Sequence, residues 1–246
     1  MTVRITFLGT GSAFADRGRS HACIHVSAPG VSLLLDCGGS SLPRIREHMD
    51  PSAIDGIAIT HLHGDHFGGI PYLVLQQHWE GRRTRPLTVG GPPGLAARLR
   101  HAEASLYPEF FGAEGRPSFP VREVVLGSSE TQIGGAQVSA FPVTHVPESE
   151  PHGLRVRAGG KIIAYSGDAA WTDALPRLAK GADLFICECT YFDVPDPVHI
   201  SYRTLLKHRS ELDCGRIVVT HLSRDVLDRI VDVELETASD GMVLEL

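Results

Sequence analysis

The chain has 246 residues, of which 42% are hydrophobic and 21% charged, with a formal net charge of −6. This is the make-up of a globular protein with a sizeable core, and no biased segment is long enough to stay disordered. The negative balance supplies no global basic footprint for nucleic acid, and no run of about 18 apolar residues offers a membrane span.

From the first residues, Met1-Thr2-Val3-Arg4-Ile5, the chain enters a strand-like pattern without a long apolar segment and small-residue cleavage site, so export is not expected. Five cysteines, an odd number without framework spacing, fit a reducing cytoplasm. Arg4 to Leu8, Ala22 to Ser27, Ser32 to Cys37 and Gly56 to Thr60 read as short strands parted by Gly, Pro or Ser clusters. Ser40 to Met49 has helical spacing and stops before Asp50-Pro51, because proline disfavours helix in the residue preceding it. A helix is expected over Phe67 to Trp79, with Ile70, Val74 and Gln77 or His78 on its inner side.

Next comes the basic loop Gly81-Arg82-Arg83-Thr84-Arg85. It reads as solvated, with contact between Arg82, Arg83 or Arg85 and an anionic substrate as the rival reading. Leu87 to Val89 is a strand and Leu95 to Ser105 a helix; the Gly90-Gly91-Pro92-Pro93-Gly94 turn between them lacks the lysine and hydroxyl of a P-loop. Tyr107 to Phe119 is either an entrance loop or a satellite aromatic cluster.

In the second half, strands are expected at Arg122 to Leu126, Gln137 to Val143, Leu154 to Arg157, Lys161 to Tyr165, Leu184 to Cys189 and Ile217 to Thr220. Helices are expected near Thr172 to Lys180, Ser201 to Arg209 and Arg224 to Ile230. Cys187-Glu188-Cys189 reads as alternating buried thiols rather than a metal pair. Sheets covered by helices, with no linker between the halves, point to one α/β domain over residues 1–246.

The stretch His61-Leu62-His63-Gly64-Asp65-His66 follows the apolar run Ile57-Ala58-Ile59. Three imidazoles and a carboxylate so close together are poor core material unless a metal satisfies them. Thr60-His61, Thr144-His145 and Thr220-His221 each close an apolar β-type run, and Tyr165-Ser166-Gly167-Asp168 places an acid at a similar strand end. Carboxyl edges of strands are where α/β sheets open their crevices.

In extended chain His61 and His63 share a face and reach one metal. Gly64 is expected to permit a tight reversal, so that Asp65 and His66 turn to a second. His145, Asp168 and His221 complete the candidates, with Asp168 as the bridge because a carboxylate has two oxygens. Nitrogen and oxygen donors without thiolate suit two Zn²⁺ ions, with Mn²⁺ or Fe as alternatives. Two ions about 3.5–4 Å apart point to hydrolysis by activated water.

These residues resemble the metallo-β-lactamase fold superfamily, with its His-x-His-x-Asp-His signature. Within it the chain is most similar to ribonuclease Z-like phosphodiesterases. That resemblance rests on Phe7-Leu8-Gly9-Thr10-Gly11-Ser12-Ala13, Leu35-Asp36-Cys37-Gly38, Tyr165-Ser166-Gly167-Asp168 and Cys187-Glu188-Cys189-Thr190. It implies a four-layer αββα sandwich in which His61, His63 and His145 hold one ion, Asp65, His66 and His221 the other, and Asp168 bridges. It also implies a catalytic set of Asp65, Glu188 and His199, in which His199 protonates the leaving oxygen and Glu188 orients it. A homodimer with the Phe67 to Trp79 helix at its contact is a further implication.

His145 to Asp168 is too short for the tRNA-gripping arm of the bacterial enzymes, which puts tRNA in doubt and favours cyclic nucleotides or short oligonucleotides. The alternative is a thioester or lactone hydrolase of the glyoxalase II kind. β-Lactam hydrolysis ranks below that, and the different-class alternative is a metal-free interaction module.

Overall fold

The computed structural model describes residues 2–111 and 117–246. The first sheet is built from β1 (Arg4–Gly9), β2 (Cys23–Ala28), β3 (Val31–Leu35), β4 (Gly56–Ala58), β5 (Leu87–Gly91) and β6 (Val121–Val125). The second contains β7 (Thr131–Ile133), β8 (Ala136–Pro142), β9 (His152–Ala158), β10 (Lys161–Tyr165), β11 (Leu184–Glu188), β12 (Ile217–Thr220) and β13 (Glu236–Thr237). A last strand, β14 (Val243–Glu245), returns to the first sheet beside β1, so the orders are β14-β1-β2-β3-β4-β5-β6 and β13-β12-β11-β10-β9-β8-β7. Both sheets are mixed, with parallel pairs running from β3 to β6 and from β10 to β13.

Side-chain alternation sets the layers. Leu33 and Leu35 of β3 face Leu154, Ile163 and Ile186 of the other sheet, while Leu34 points outward to a helical layer. On β11, Leu184 and Ile186 face the middle and Phe185 and Cys187 face outward. Strands buried on both faces therefore read as near-continuous apolar runs.

The first sheet is covered by α1 (Ser41–His48), the short α2 (Gly64–Phe67), α3 (Ile70–Trp79) and α4 (Leu95–Leu106); α5 (Pro108–Phe111) follows. The second is covered by α6 (Ala174–Ala179), α7 (Tyr202–His208) and α8 (Arg224–Leu227). The result is an αββα sandwich. Among the described residues no helix is long and apolar enough to cross a membrane.

Several expectations change in detail. The helix expected over Phe67 to Trp79 is split, because Gly68 and Gly69 separate α2 from α3. A methyl at Gly69 would stand 2.3 Å from the Gly38 carbonyl oxygen, so only glycine lets the two segments approach there. Gly64 makes no left-handed reversal; it opens α2, with open space where a Cβ would be. All five cysteines are free, and Cys187 and Cys189 are buried under the helices of the second sheet.

The basic loop lies at the opposite end of β4 from His61. Arg83 is buried there and donates to the carbonyls of Ser52, Ile54, Arg85 and Pro86, while Arg85 pairs with Asp55. Arg83 also lies 5.5 Å over the ring of Phe119. The aromatic stretch Tyr107 to Phe119 includes residues 112–116, which lie outside the described residues; Phe119 itself is core.

Candidate metal centre

The strand ends bring the predicted residues together. His61 and His63 follow β4, Asp65 and His66 lie in α2, His145 follows β8, Asp168 follows β10 and His221 follows β12. Candidate ligand atoms of His61, His63, His145 and Asp168 lie within 4.8 Å of one another, as do those of Asp65, His66, Asp168 and His221.

Asp168 is shared and divides its oxygens. Oδ2 stands 3.7 Å from His61 Nε2 and 3.9 Å from His145 Nε2, while Oδ1 stands 3.2 Å from His66 Nε2 and 3.4 Å from His221 Nε2. His63 Nδ1 lies 3.1 Å from His61 Nε2 and 3.3 Å from His145 Nε2, and Asp65 Oδ2 lies 3.4 Å from both His66 and His221. Donors about 2.1 Å from a tetrahedral ion stand about 3.4 Å apart, which is the spacing seen here.

The polar balance points the same way. Asp168 Oδ1 and His66 Nε2 are buried yet have no hydrogen-bond partner among the described residues. Buried polar atoms are rarely left so, and a cation between the two groups would satisfy both.

Each ring is oriented through its other nitrogen. His61 Nδ1 donates to Thr60 Oγ1 (3.0 Å), His66 Nδ1 to Asp36 Oδ2 (2.7 Å), His145 Nδ1 to the Val198 carbonyl (2.8 Å) and His221 Nδ1 to Thr190 Oγ1 (3.0 Å). In all four, Nε2 is the ring nitrogen left facing the centre. Asp36 also accepts from the amide and hydroxyl of Thr60, so one fully buried carboxylate fixes ligand-bearing segments on both sides of Leu62. Asp36 and His221 adopt left-handed backbone, φ 58° and 57°. Non-glycine residues held so cost about 1–3 kcal/mol each, and such strain concentrates at functional sites.

The protonation states suit cation binding. Burial drives His61 well below the ordinary imidazole range, with the charge of His66 adding to it, and burial lowers His63 too. Both are neutral at pH 7. Although burial opposes it, the cationic His66 with hydrogen bonds from His221 and His66 holds Asp65 low, and the charges of His221 and His66 hold Asp168 well below the carboxylate range. His66 itself is pushed up against burial by Asp168, Asp65 and Asp36. Without a cation this imidazole keeps a proton that a cation would displace.

Beside the centre, Glu188 is fully buried at the end of β11 and His199 Nδ1 donates to its Oε1 at 2.8 Å. Glu188 also accepts from the amides of Ala169 and Thr190 and from the Thr190 hydroxyl. The His199 ring is 4.8 Å from His145 and 5.7 Å from His221, centroid to centroid. Burial alone would lower its pKa, but the Glu188 hydrogen bond and charge outweigh this and push it up to about 9.

Sequence reasoning passed over Asp36, Thr60 and Thr190 as working residues. A carboxylate directly after Leu33-Leu34-Leu35 was the available signal for Asp36; nothing local marked Thr190.

A family model described as the anti-Pycsar protein Apyc1 matches residues 3–236. The chain is 37% identical over 304 aligned positions to the ribonuclease Z of Haloarcula marismortui, covering 99% of this chain and 94% of the relative. Among solved structures, the metallo-β-lactamase fold protein YhfI from Bacillus subtilis superposes with a TM-score of 0.80 at 18% identity, covering 100% of both chains. The short form of human tRNase Z superposes at 0.78 with 26% identity, covering 98% of each.

Proposed function

The chain belongs to the anti-Pycsar Apyc1 family and, like its ribonuclease Z relatives, is a metal-dependent hydrolase of the metallo-β-lactamase fold; from that premise we propose that it cleaves small cyclic or oligonucleotide-type phosphodiesters at a two-ion centre. In this reading His61, His63 and His145 would hold one ion and Asp65, His66 and His221 the other, with Asp168 shared between them. The mixed nitrogen and oxygen donors favour Zn²⁺, with Mn²⁺ and Fe as alternatives. Bound there, the ions supply activated water and positive charge for the phosphoryl oxygens.

The remaining work falls to side chains. Asp168 sets the spacing of the two groups, and ionised Asp65 and Asp168 offset the positive charge. His199, protonated through neutral pH, delivers a proton from Nε2 to the departing alkoxide. Glu188 fixes the ring's tautomer and direction and is itself held by Ala169 and Thr190.

The 2.8 Å Glu188–His199 pair beside the two groups carries the reading. An alkoxide is a poor leaving group and needs a proton, whereas a thiolate leaves without one. Residues 146–167 are taken up by a short 3-10 turn and the β9–β10 hairpin, so no arm sits between His145 and Asp168, which supports a small substrate. α3 leaves Trp79 67% exposed, and the expected homodimer contact there stays part of the proposal, read by the mass in solution.

The test is turnover of cyclic mononucleotides, short oligonucleotides, bis-p-nitrophenyl phosphate, a glutathione thioester and a lactone. Phosphodiesters are expected to lead, and the rate on the nucleotide phosphodiesters, which have an alkoxide leaving group, is expected to collapse in His199→Ala. Faster thioester turnover, or a nucleotide-phosphodiester rate indifferent to His199→Ala, would sink the reading.

A further inference from the structure

Residues 10–20 form a loop between β1 and β2 that is fastened at its neck, tip and side. At the neck, Asp240 Oδ1 accepts from the amide (3.0 Å) and hydroxyl (2.7 Å) of Thr10, and Oδ2 accepts from the amide of Ser20 (2.7 Å). One carboxylate thus staples both ends of the loop. The amide of Gly11 closes the same neck on the Ser20 carbonyl at 2.8 Å, and Arg19 donates to Thr10 Oγ1 and to the Ala238 carbonyl.

At the tip, Asp16 accepts from the amide of Arg224, the first residue of α8, and Arg17 pairs with Asp228. On the side, His21 Nε2 donates to the Ala13 carbonyl. Ala15 and Arg17 take left-handed backbone, φ 51° and 53°, which non-glycine residues adopt only when their surroundings impose it.

This loop lies on the rim of the metal centre. The Thr10 carbonyl accepts from the amide of Leu222 at 3.1 Å, one residue past His221. On the other side, a methyl at Gly38 would meet the Asp65 carbonyl oxygen at 2.0 Å and the His21 Cβ at 2.5 Å, so His21 and the backbone that carries Asp65 both close on Gly38. The loop therefore starts beside one candidate ligand and is linked through His21 and Gly38 to the segment that carries another.

From this fixed loop Phe14 points into solvent, 86% exposed against 67% for Trp79, the next most exposed Phe, Tyr or Trp among the described residues. An aromatic ring left in water gains nothing for folding, yet the loop that presents it is pinned on three sides. Rigid aromatic rings at the edge of a phosphate-handling site are suited to stacking, since every base offers a π-face and the ordering cost is met in advance.

We propose that Phe14 is a specificity-determining residue: a pre-set platform on which the base of a nucleotide phosphodiester stacks while its phosphate occupies the metal centre. The substrate class it selects is base-bearing phosphodiesters over base-free ones. This rests on the phosphodiesterase reading of the centre.

The experiment uses the metal-loaded full chain and its Phe14→Ala, Phe14→Leu and Phe14→Trp variants, with a dinucleoside monophosphate and its abasic counterpart as substrates. In Phe14→Ala and Phe14→Leu the ratio of kcat/KM for the base-bearing over the abasic substrate is expected to fall about tenfold, carried by KM, in line with base–aromatic stacking. Phe14→Trp is expected to keep that ratio, and its emission to be quenched by a nucleoside monophosphate and not by ribose 5-phosphate. A ratio unchanged in Ala and Leu, or a change only in oligomeric state, would overturn the proposal and assign the ring to a protein contact. If the parent chain cleaved neither substrate the phosphodiesterase reading would fail by itself, and the Phe14→Trp quenching would still decide for or against base stacking.

Discussion

The two ends of β4 bury charge in opposite ways. At its start the guanidinium of Arg83 is enclosed by four carbonyls and a phenyl ring, so its donors are met by the chain itself. Past its end His66 and Asp168 are equally buried, yet His66 Nε2 and Asp168 Oδ1, 3.2 Å apart, make no hydrogen bond among the described residues. Burying a polar group costs little when its hydrogen bonds are satisfied and much when they are not. The first end is therefore satisfied as folded, while the second leaves two buried atoms that a cation would satisfy, and that difference separates a structural cluster from a candidate functional one.

The largest expected effect breaks the second end. Asp168→Ala should cut phosphodiester hydrolysis at least about a thousandfold and lower metal content from two ions toward one or none. In chelator-treated protein the same change should lower stability in urea melts, because it takes away the carboxylate that stands 3.2 Å from the buried, protonated His66. Two bound ions and full activity in this variant would take Asp168 out of the ligand set.

Next in size, His199→Ala should lose about 10²–10⁴ in kcat on a phosphodiester with an alkoxide leaving group. Its metal content should match the parent chain. Loss of the ions from this variant would move His199 into the ligand set.

Breaking the first end should show the converse pattern. Arg83→Met, which leaves buried carbonyls without a donor, should cost about 3 kcal/mol in denaturant unfolding. The surviving folded fraction should keep full activity and metal content. A selective fall in KM or kcat would bring back a substrate role for the basic loop.

The smallest effect is one of pH. The folded pKa of His199 is raised to about 9, above its unfolded value of about 6.5. Its contribution to stability is therefore fully present below about pH 6.5 and is lost as pH rises through about 9. In metal-free protein, nuclear magnetic resonance of this ring should titrate near 9, and adding divalent cations should move the midpoint down. A metal-free midpoint near 6.5 would remove Glu188 as its partner.

What was legible in the sequence was what local spacing encodes. The hexapeptide, the Thr-His strand ends and Asp168 stood out because a metal site needs particular residue types at strand ends, and the structure brings all seven together. Asp36, Thr60 and Thr190 escaped because their partners are set by tertiary pairing: Asp36 meets His66 across 30 residues and Thr190 meets His221 across 31. β13 and β14 are two and three residues long, below what alternation can reveal, yet the turn between them carries Asp240, which fastens the loop bearing Phe14. The break at Gly69 was hidden for the same reason, since the backbone it accommodates belongs to Gly38 and Cys37.

The most direct measurement is a zinc titration of the metal-free chain, following bound metal and bis-p-nitrophenyl phosphate hydrolysis together. The two-ion account predicts saturation at two ions per chain, with proton release on binding and most activity appearing with the second equivalent. Saturation and full activity at one ion, or two bound ions with no phosphodiester cleavage, would contradict it.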